Sequence, residues 1–520
     1  MNSNIKTILR DVGLFLHVPG LMALLSVPIC ILWGEYYAIL PFVICGIVPL
    51  ILGRLLYRLY SRGAQTSKIR HAMITVALCW LIVPIIGAIP FMLIASKLAV
   101  SSETATTILN FQDPWNALFE AFSGFTSTGL SVASRVSNLP HSLQWWRSFT
   151  EWIGGVGVIV LVISLLEPST DAYQLYSSEG RDKRIASSVK ATARKIWWIY
   201  LIYTIASIFI FKIVGMSWWE ALNHGMTGIS TGGFSVLDNS IGGYAPKIQM
   251  AVIVIMILGA VSFPVHYRLL TKGRLSALWS DNQHQALWVF LALGIGLLGL
   301  MNYSYFGSPL WLDTAFHWAS ALGTCGFNIS DIYKWNDSAK LLLTLAMVVG
   351  GTAGSTVGGF KLNRLILLYK AVIWRFRRIS LKSDESIRYE LDGKVLDETE
   401  AIRRIEAAAV LAFLWIVILI ISMFILLQLA LPNYKLGDVL FEAASALGSV
   451  GISVGISNPE LPWLGKFTLI ILMWMGRLEI IPVLILFTGI RKILTVEAGE
   501  IKSYVTAPTK DFEREREPYR

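Results

Sequence analysis

The sequence predicts an all-α polytopic membrane protein: four parallel units of helix, short helix, glycine turn and helix, preceded by two extra spanning helices. Three observations predict it. Of 520 residues 55% are hydrophobic and only 15% charged, where soluble domains carry about 25% charge; the mean hydropathy is +0.60. Apolar stretches such as 250–258, 286–300 and 410–431 recur. Their length suits spanning helices of about 20 residues, and they lack the period of two of membrane strands. Finally, one short pattern occurs four times: Phe125-Thr126-Ser127-Thr128-Gly129-Leu130-Ser131, Ile229-Ser230-Thr231-Gly232-Gly233-Phe234-Ser235, Leu322-Gly323-Thr324-Cys325-Gly326-Phe327-Asn328 and Leu447-Gly448-Ser449-Val450-Gly451-Ile452-Ser453. A polar residue stands thirteen positions before each glycine: Asn116, Glu220, Asp313 and Asp438.

In chain order, spanning helices are expected near 20–33, 37–57, 71–96, 147–166, 196–214, 247–270, 285–305, 338–370, 406–430 and 464–490. The N-terminus lacks the pattern of a cleaved leader, so its first apolar stretch reads as an anchor. Basic clusters fall at every second connection between these spans, all on one side: Lys6 and Arg10; Arg54, Arg58, Arg62, Lys68 and Arg70; Arg181, Lys183, Arg184, Lys190, Arg194 and Lys195; Arg268, Lys272 and Arg274; Arg375, Arg377, Arg378 and Lys382; Arg491 and Lys492. That bias puts them, and the N-terminus, on the cytoplasmic side. It also accounts for the net charge of +10 without nucleic acid as a partner; the lipid bilayer is the surrounding partner.

After the first two spans each unit makes two crossings, so every unit starts on the same side. The repeats are therefore parallel and can surround one axis, unlike inverted-repeat carriers. The segments 114–124, 218–228, 311–321 and 438–447 are too short to span and read as helices entering from outside. Asp113-Pro114 is a cap followed by a first-turn proline, and Ser217-x-x-Glu220 is a capping box. Such helices aim their negative ends at the membrane centre, which favours a cation. Two regions do not span: 371–404, with a hairpin turn at Leu391-Asp392-Gly393-Lys394-Val395, and the polar tail 499–520. The expected divisions are an N-terminal hairpin over 1–66, repeats over 67–170, 171–283, 284–404 and 405–498, and the tail 499–520.

Gly129, Gly233, Gly326 and Gly451 can take positive φ without a Cβ penalty and turn neighbouring carbonyls toward a common axis. Close helix packing alone would also use small residues, but four patches in register, each after a short helix, favour a ring of carbonyls that replaces the water around a cation. The run Gly350-Gly351-Thr352-Ala353-Gly354-Ser355-Thr356-Val357-Gly358-Gly359 interrupts the eighth span. It is no phosphate loop, because Phe360 separates the last glycine from Lys361 and no strand precedes it. Irregular backbone at this depth must be buried in protein or line water, so the run is a gate or a packed kink. Arg477, inside the tenth span, faces a cavity as an electrostatic barrier or pairs with Glu479 or another acid; Lys361 snorkels. Gly154-Gly155-Val156-Gly157 lies in an apolar span and carries no nucleotide reading. The histidines His224, His266 and His317 show no metal spacing. Cys30, Cys45, Cys79 and Cys325 form no CxxC pair. No catalytic constellation occurs, so an enzyme is not expected, nor an organic cofactor.

These motifs, with Trp152-Ile153-Gly154-Gly155-Val156-Gly157 and Met475-Gly476-Arg477-Leu478-Glu479, resemble the Trk/Ktr/HKT superfamily of cation transporters, most closely the bacterial Trk-type potassium uptake subunit. The likeness covers nearly the whole chain, and the extra N-terminal pair of spans is similar to the Trk branch. It implies K+ as the transported ion, a filter at Thr128, Gly129, Gly232, Gly233, Cys325, Gly326, Val450 and Gly451, and a gate at Gly350, Gly351, Gly354, Gly358, Gly359 and Arg477. Cys325 departs from the pattern of the first turn, where Thr128 stands, but a carbonyl is supplied either way. The resemblance further implies a homodimer in the bacterial inner membrane and a cytosolic nucleotide-binding regulatory subunit. The competing readings are a sodium-permeable or ion-coupled symporter and the ion-binding subunit of an ATP-driven pump.

Overall fold

The computed structural model describes residues 3–61, 69–99, 106–157, 160, 188–380, 387–429 and 433–495. It is helical almost throughout. Helices α1 (Ser3–Phe15) and α2 (His17–Leu32) run on as one apolar stretch, so the first span begins far earlier than position 20. Arg10 lies buried inside it, paired with Asp11 at 2.6 Å, and is not the free flanking charge the sequence suggests. Helix α3 (Tyr36–Tyr60) returns beside α1 and α2. A Cβ on Gly13 would come within 2.7 Å of the Gly53 carbonyl, and one on Gly53 within 2.6 Å of the Gly13 carbonyl. Small residues thus bring these backbones together, as is usual where no hydrophobic effect drives association.

The rest of the chain is α4 (Ile69–Leu98), the single turn α5 (Thr106–Leu109), α6 (Pro114–Phe125), α7 (His141–Val156), α8 (Val189–Val214), α9 (Trp218–Ile229), α10 (Pro246–Ala260), α11 (Phe263–Lys272), α12 (Asn282–Phe306), α13 (Trp311–Leu322), α14 (Asp337–Val349), α15 (Leu362–Ser380), α16 (Glu398–Leu429), α17 (Leu436–Leu447), α18 (Trp463–Arg477) and α19 (Ile481–Thr495). A two-stranded hairpin, β1 (Tyr389–Leu391) and β2 (Lys394–Leu396), turns at Asp392 and Gly393, both with positive φ. Trp374 and Tyr389 pack it onto α15 and α16.

The helices α1–α2, α3, α4, α8, α12 and α16 are long and apolar enough to cross a membrane, and two bent pairs could each count as one more crossing. Here the structure corrects the sequence reading of straight helices at 247–270 and 464–490. Helices α10 and α11 meet at 105°, and α18 and α19 at 108°. The stretch 338–370 is two helices separated by the glycine-rich loop, at the interruption read from the sequence. Helix α7 stops at Val156, before Gly157 with φ 90°. Every helix that follows a glycine turn therefore breaks after 13 to 16 residues. The remainder of the fourth expected span, Arg62, Lys68, Arg181, Lys183, Arg184, Lys382 and the tail 499–520 lie outside the described residues.

Of the four short helices α6, α9, α13 and α17, the first two begin at the caps read from the sequence, while α13 starts after Leu310 with no side-chain cap. The Asp113 side chain accepts the Trp115 N–H, Pro114 occupies the first turn, and Ser217 and Glu220 form a reciprocal capping box. The polar residue thirteen before each turn glycine is the third residue of its short helix. Asp438 has a second task there: it accepts from Lys340 of α14 at 2.7 Å, with side chains 2% and 5% exposed. Lys466 of α18 reaches Asp113 at 3.5 Å, and Trp219 donates to Gln144 of α7 at 2.8 Å. Each contact ties one unit's second helix to the start of the next unit's short helix. Glycine slots set the depth of the short helices: Trp318 of α13 lies against Gly294 of α12, and Phe125 of α6 against Gly87 of α4. The N-terminal hairpin joins through Glu35, whose carboxylate caps α7 by accepting His141 N–H at 2.7 Å and Ser142 N–H at 2.9 Å.

Removing one member of a buried ion pair strands the other charge and costs about 3–5 kcal/mol, whereas replacing both with apolar residues is close to neutral. Asp438→Ala is therefore expected to lower the melting temperature of the purified protein clearly, and Lys340→Met with Asp438→Leu to recover most of it. A thermal scan in detergent, read by size-exclusion peak height, checks both.

Candidate functional site: a ring of four turns

Each short helix ends in the same way. The N–H groups of Thr128, Gly232, Cys325 and Val450 donate to carbonyls five residues back, at 2.9, 2.9, 2.8 and 2.8 Å, and those of Ser127, Thr231, Thr324 and Ser449 donate to carbonyls three back. This is a Schellman closure, yet the left-handed position is held by Ser or Thr in place of glycine, at φ 54°, 53°, 45° and 51°. A non-glycine residue there costs roughly 1–2 kcal/mol, and strain of this kind gathers at functional sites. The glycine stands two residues later, at φ 90°, 89°, 89° and 95° for Gly129, Gly233, Gly326 and Gly451.

Contact between neighbouring turns explains the glycine. A Cβ on Gly129 would overlap the carbonyl oxygen of Gly232, one on Gly233 that of Cys325, one on Gly326 that of Val450, and one on Gly451 that of Thr128. The four turns thus close head to tail into a ring, each glycine Cα seated against the carbonyl just before the next glycine. All eight residues singled out in the sequence take part. Cys325 points its thiol away, toward the Gly228 carbonyl at 3.9 Å, and presents its main chain to the ring.

Sequence reading missed a second set, one side chain per unit, nine residues before each glycine: Glu120, His224, His317 and Glu442, all 0% exposed. Each ties down the strand leaving its turn. Glu120 accepts from Ser131 Oγ at 2.8 Å and Val132 N–H at 3.0 Å. Glu442 accepts from Ser453 Oγ at 2.7 Å, Val454 N–H at 3.0 Å and Ser457 N–H at 3.0 Å. His224 bonds the Glu220 carbonyl through Nδ1 and Ser235 Oγ through Nε2, both at 2.9 Å. His317 donates from Nδ1 to the Asp313 carbonyl at 2.8 Å and accepts Ile329 N–H at Nε2, 3.3 Å away. A carbonyl can only accept, so Nδ1 carries the proton and Nε2 is free to accept in the neutral ring. The signal was present in the sequence as a fixed offset, hidden because the residue type alternates between Glu and His.

Beneath the ring lies the loop from Gly350 to Lys361. Gly350, Gly354 and Gly359 have positive φ; Gly351 and Gly358 pack against Val357 and the Gly448 carbonyl. The loop holds three of the four units. Thr356 Oγ1 donates to the carbonyls of Ile229 and Gly259 at 3.2 and 3.0 Å. Gly358 N–H reaches Thr324 Oγ1 at 2.8 Å, and Gly359 N–H the Gly448 carbonyl at 2.9 Å. Arg477, at the bend after α18, spans to the first unit: its guanidinium donates to the carbonyls of Gly154, of Gly155 at 3.0 Å and of Thr356 at 3.4 Å. A cavity of about 30 Å³ lies between this loop and Arg477. Glu479 is not the partner of Arg477. It is held by Lys361 at 2.7 Å and by Arg364, so Lys361 is an ion-pair member inside the protein and does not snorkel. The Gly154-Gly155 pair serves close packing, against Phe125 and Ser230, and offers carbonyls to Arg477. Among the described residues no cluster of three potential metal-binding side chains occurs.

The model of the TrkH cation transport protein family matches residues 39–492. The chain belongs to that family. An uncharacterized cation transporter of Methanocaldococcus jannaschii is 33% identical over 93% of this chain and 95% of its own length. A Trk system potassium uptake protein, TrkH, of Halomonas elongata is 28% identical over 93% and 98%. The crystal structure of the potassium transporter TrkH from Vibrio parahaemolyticus superposes with a TM-score of 0.79 at 26% identity, covering 94% of this chain and 99% of that one. These relatives are transporters by name, not enzymes.

If Glu442 pins the strand after the fourth turn, Glu442→Ala should release it. The amides of Val454 and Ser457 should then exchange hydrogen about tenfold or more faster, the effect of losing 1.5–3 kcal/mol of charged hydrogen bonds, while amides in α17 keep their protection. Hydrogen–deuterium exchange on the purified protein reads this directly.

Proposed function

We propose that this protein takes up potassium through a gated, channel-like pore in the cytoplasmic membrane. The ring of Thr128, Gly129, Gly232, Gly233, Cys325, Gly326, Val450 and Gly451 is its selectivity filter, and the carbonyls of these residues stand in for the water shell of K+. The observation that carries this reading is the head-to-tail closure of the four turns, since packing alone would give no reason for four glycines each to abut the next turn's carbonyl. The C-terminal ends of four short helices at the ring add partial negative charge, favouring a cation. Potassium as the ion is supported by the names of the Halomonas and Vibrio relatives.

The loop with Gly350, Gly351, Gly354, Gly358 and Gly359, together with Arg477, is the gate. Its contacts to all four units lie directly below the ring, and a guanidinium held on carbonyls there opposes a passing cation. The N-terminus and the basic clusters are cytoplasmic by the positive-inside bias. The protein works as a homodimer, with a cytosolic nucleotide-binding regulatory subunit of the Trk type. Arg375, Arg377 and Arg378 are exposed on α15, the helix that leaves the gate loop, and suit such a partner. The pore repeats run over 67–170, 171–283, 284–404 and 405–498, after the hairpin 1–66 and before the tail 499–520.

Gly233→Ser is expected to reduce the preference for rubidium over sodium by roughly tenfold, a change of about 1.4 kcal/mol, because its Cβ drives the Cys325 carbonyl from its place. Rubidium uptake under sodium competition in potassium-uptake-deficient cells measures it; unchanged preference in well-expressed variants at all four glycines would sink the filter. Deleting residues 354–357 is expected to raise flux at normal membrane abundance. Lower flux from the same abundance would count against a closing role for the loop.

A further inference from the structure

The ring is close to fourfold in backbone, but one of its seams carries side chains the others lack. Helix α7 of the first unit lies against the strand leaving the second turn. Its Arg147, 2% exposed, donates to the Ser235 carbonyl at 2.9 Å and stacks over the Phe234 ring at 3.9 Å. One helical turn on, Glu151, 0% exposed, accepts the Phe234 N–H with both carboxylate oxygens, at 3.2 and 3.0 Å. The same carboxylate fills the space beside the filter: a Cβ on Gly232 would overlap Oε2, and one on Gly129 would lie 3.5 Å from Oε1. So α7 grips the Phe234-Ser235 segment at an N–H and at the next residue's carbonyl, immediately after Gly233.

Arg147 and Glu151 are the seventh and eleventh residues of α7, and the matching positions are Val252 and Met256 in α10, Leu343 and Met347 in α14, and Leu469 and Met473 in α18. None can make this grip. No Lys, Arg or His nitrogen lies within 4 Å of Glu151 among the described residues, and its carboxylate has one protein donor, Phe234 N–H. A buried carboxylate is expensive, and here it serves a single amide beside the filter. Arg147, by contrast, also pairs with Glu120 at 2.6 Å and is needed to bury that carboxylate.

We propose that Glu151 is a specificity-determining positioning residue: by holding Phe234 N–H it fixes the direction of the Gly232 and Gly233 carbonyls and the width of the seam between the first and second turns. Selectivity for the larger alkali cation is then set chiefly at this seam, while the other three seams rely on turn geometry and on the Glu or His nine residues before each glycine. The proposal rests on the filter reading given above.

The test uses the full-length protein reconstituted in liposomes, with rubidium uptake measured against sodium competition. Glu151→Met, the residue type at the matching place in the fourth unit, removes the acceptor and is expected to lower rubidium-over-sodium preference by roughly tenfold, the scale of one charged hydrogen bond. Glu151→Gln keeps an acceptor oxygen for Phe234 N–H and is expected to hold the preference within about twofold of wild type, as only a hydrogen-bonding role predicts. Gly451→Ser, at the seam between the fourth and first turns, serves as the reference. If Gly451→Ser shifts the preference and Glu151→Met does not, the proposal falls and the filter stands; if neither shifts it, both fall. If Glu151→Gln loses the preference as fully as Glu151→Met, charge rather than the hydrogen bond matters and the positioning role is overturned. Because Glu151→Met could fail to fold, Phe234→Pro, which deletes the N–H itself, is assayed beside it: an unchanged preference in that variant also overturns the proposal.

Discussion

The contact on which the rest depends is a glycine Cα seated against the carbonyl of the next turn. It recurs at Gly129, Gly233, Gly326 and Gly451 and closes the ring. The backbones approach so closely that no side chain fits at these four places, and φ near 90° independently asks for glycine. Everything around the ring can be read as a means of bringing four separate turns to that spacing and keeping them there. The short helices must end at one depth, which the Gly87 and Gly294 slots for Phe125 and Trp318 provide. They must also start in register, which the contacts of Lys340, Lys466 and Gln144 across unit boundaries provide.

The same constraint explains where strain is accepted. Ser127, Thr231, Thr324 and Ser449 sit in the left-handed region although glycine would relieve them. Three of the four hydroxyls have work that glycine could not do, while Ser449 Oγ is buried without a hydrogen-bond partner. Ser127 Oγ donates to the Ser230 carbonyl at 3.0 Å, Thr231 Oγ1 meets Thr356 at 3.2 Å, and Thr324 Oγ1 receives Gly358 N–H. Ser127, Thr231 and Thr324 are thus links between adjacent turns and between turns and loop. A movement of the loop would reach the ring through these hydroxyls.

The breaks in the helices after each turn have a common cause. Helix α10 ends where Gly259 passes beneath Thr231, and α18 where Gly476 meets the Leu447 carbonyl. Close by lie the loop of the third unit and Arg477, whose guanidinium satisfies carbonyls freed where α7 ends. Polar backbone at this depth is tolerable because its partners are protein groups, and Arg477 is one of them.

By itself the sequence determined the helical class, the four short helices with the caps of two of them, and the glycine of every turn. These are local matters: capping depends on a few adjacent residues, and an apolar run of given length either spans or does not. The Asp392-Gly393 hairpin was legible for the same reason. Only the tertiary structure decided the bends at 105° and 108°, because the sequences across them stay apolar and nothing local forbids a straight helix. It also decided the partners of the buried charges. Glu479 stands two residues from Arg477 yet is taken by Lys361, at the end of the loop, and Arg364, in the first turn of α15, both more than a hundred residues earlier. Glu151 and the set Glu120, His224, His317 and Glu442 were invisible as a group for a related reason. What they share is a backbone N–H or hydroxyl to hold beside a turn, a task that Glu and His both perform, so geometry preserves the position while the sequence varies the residue.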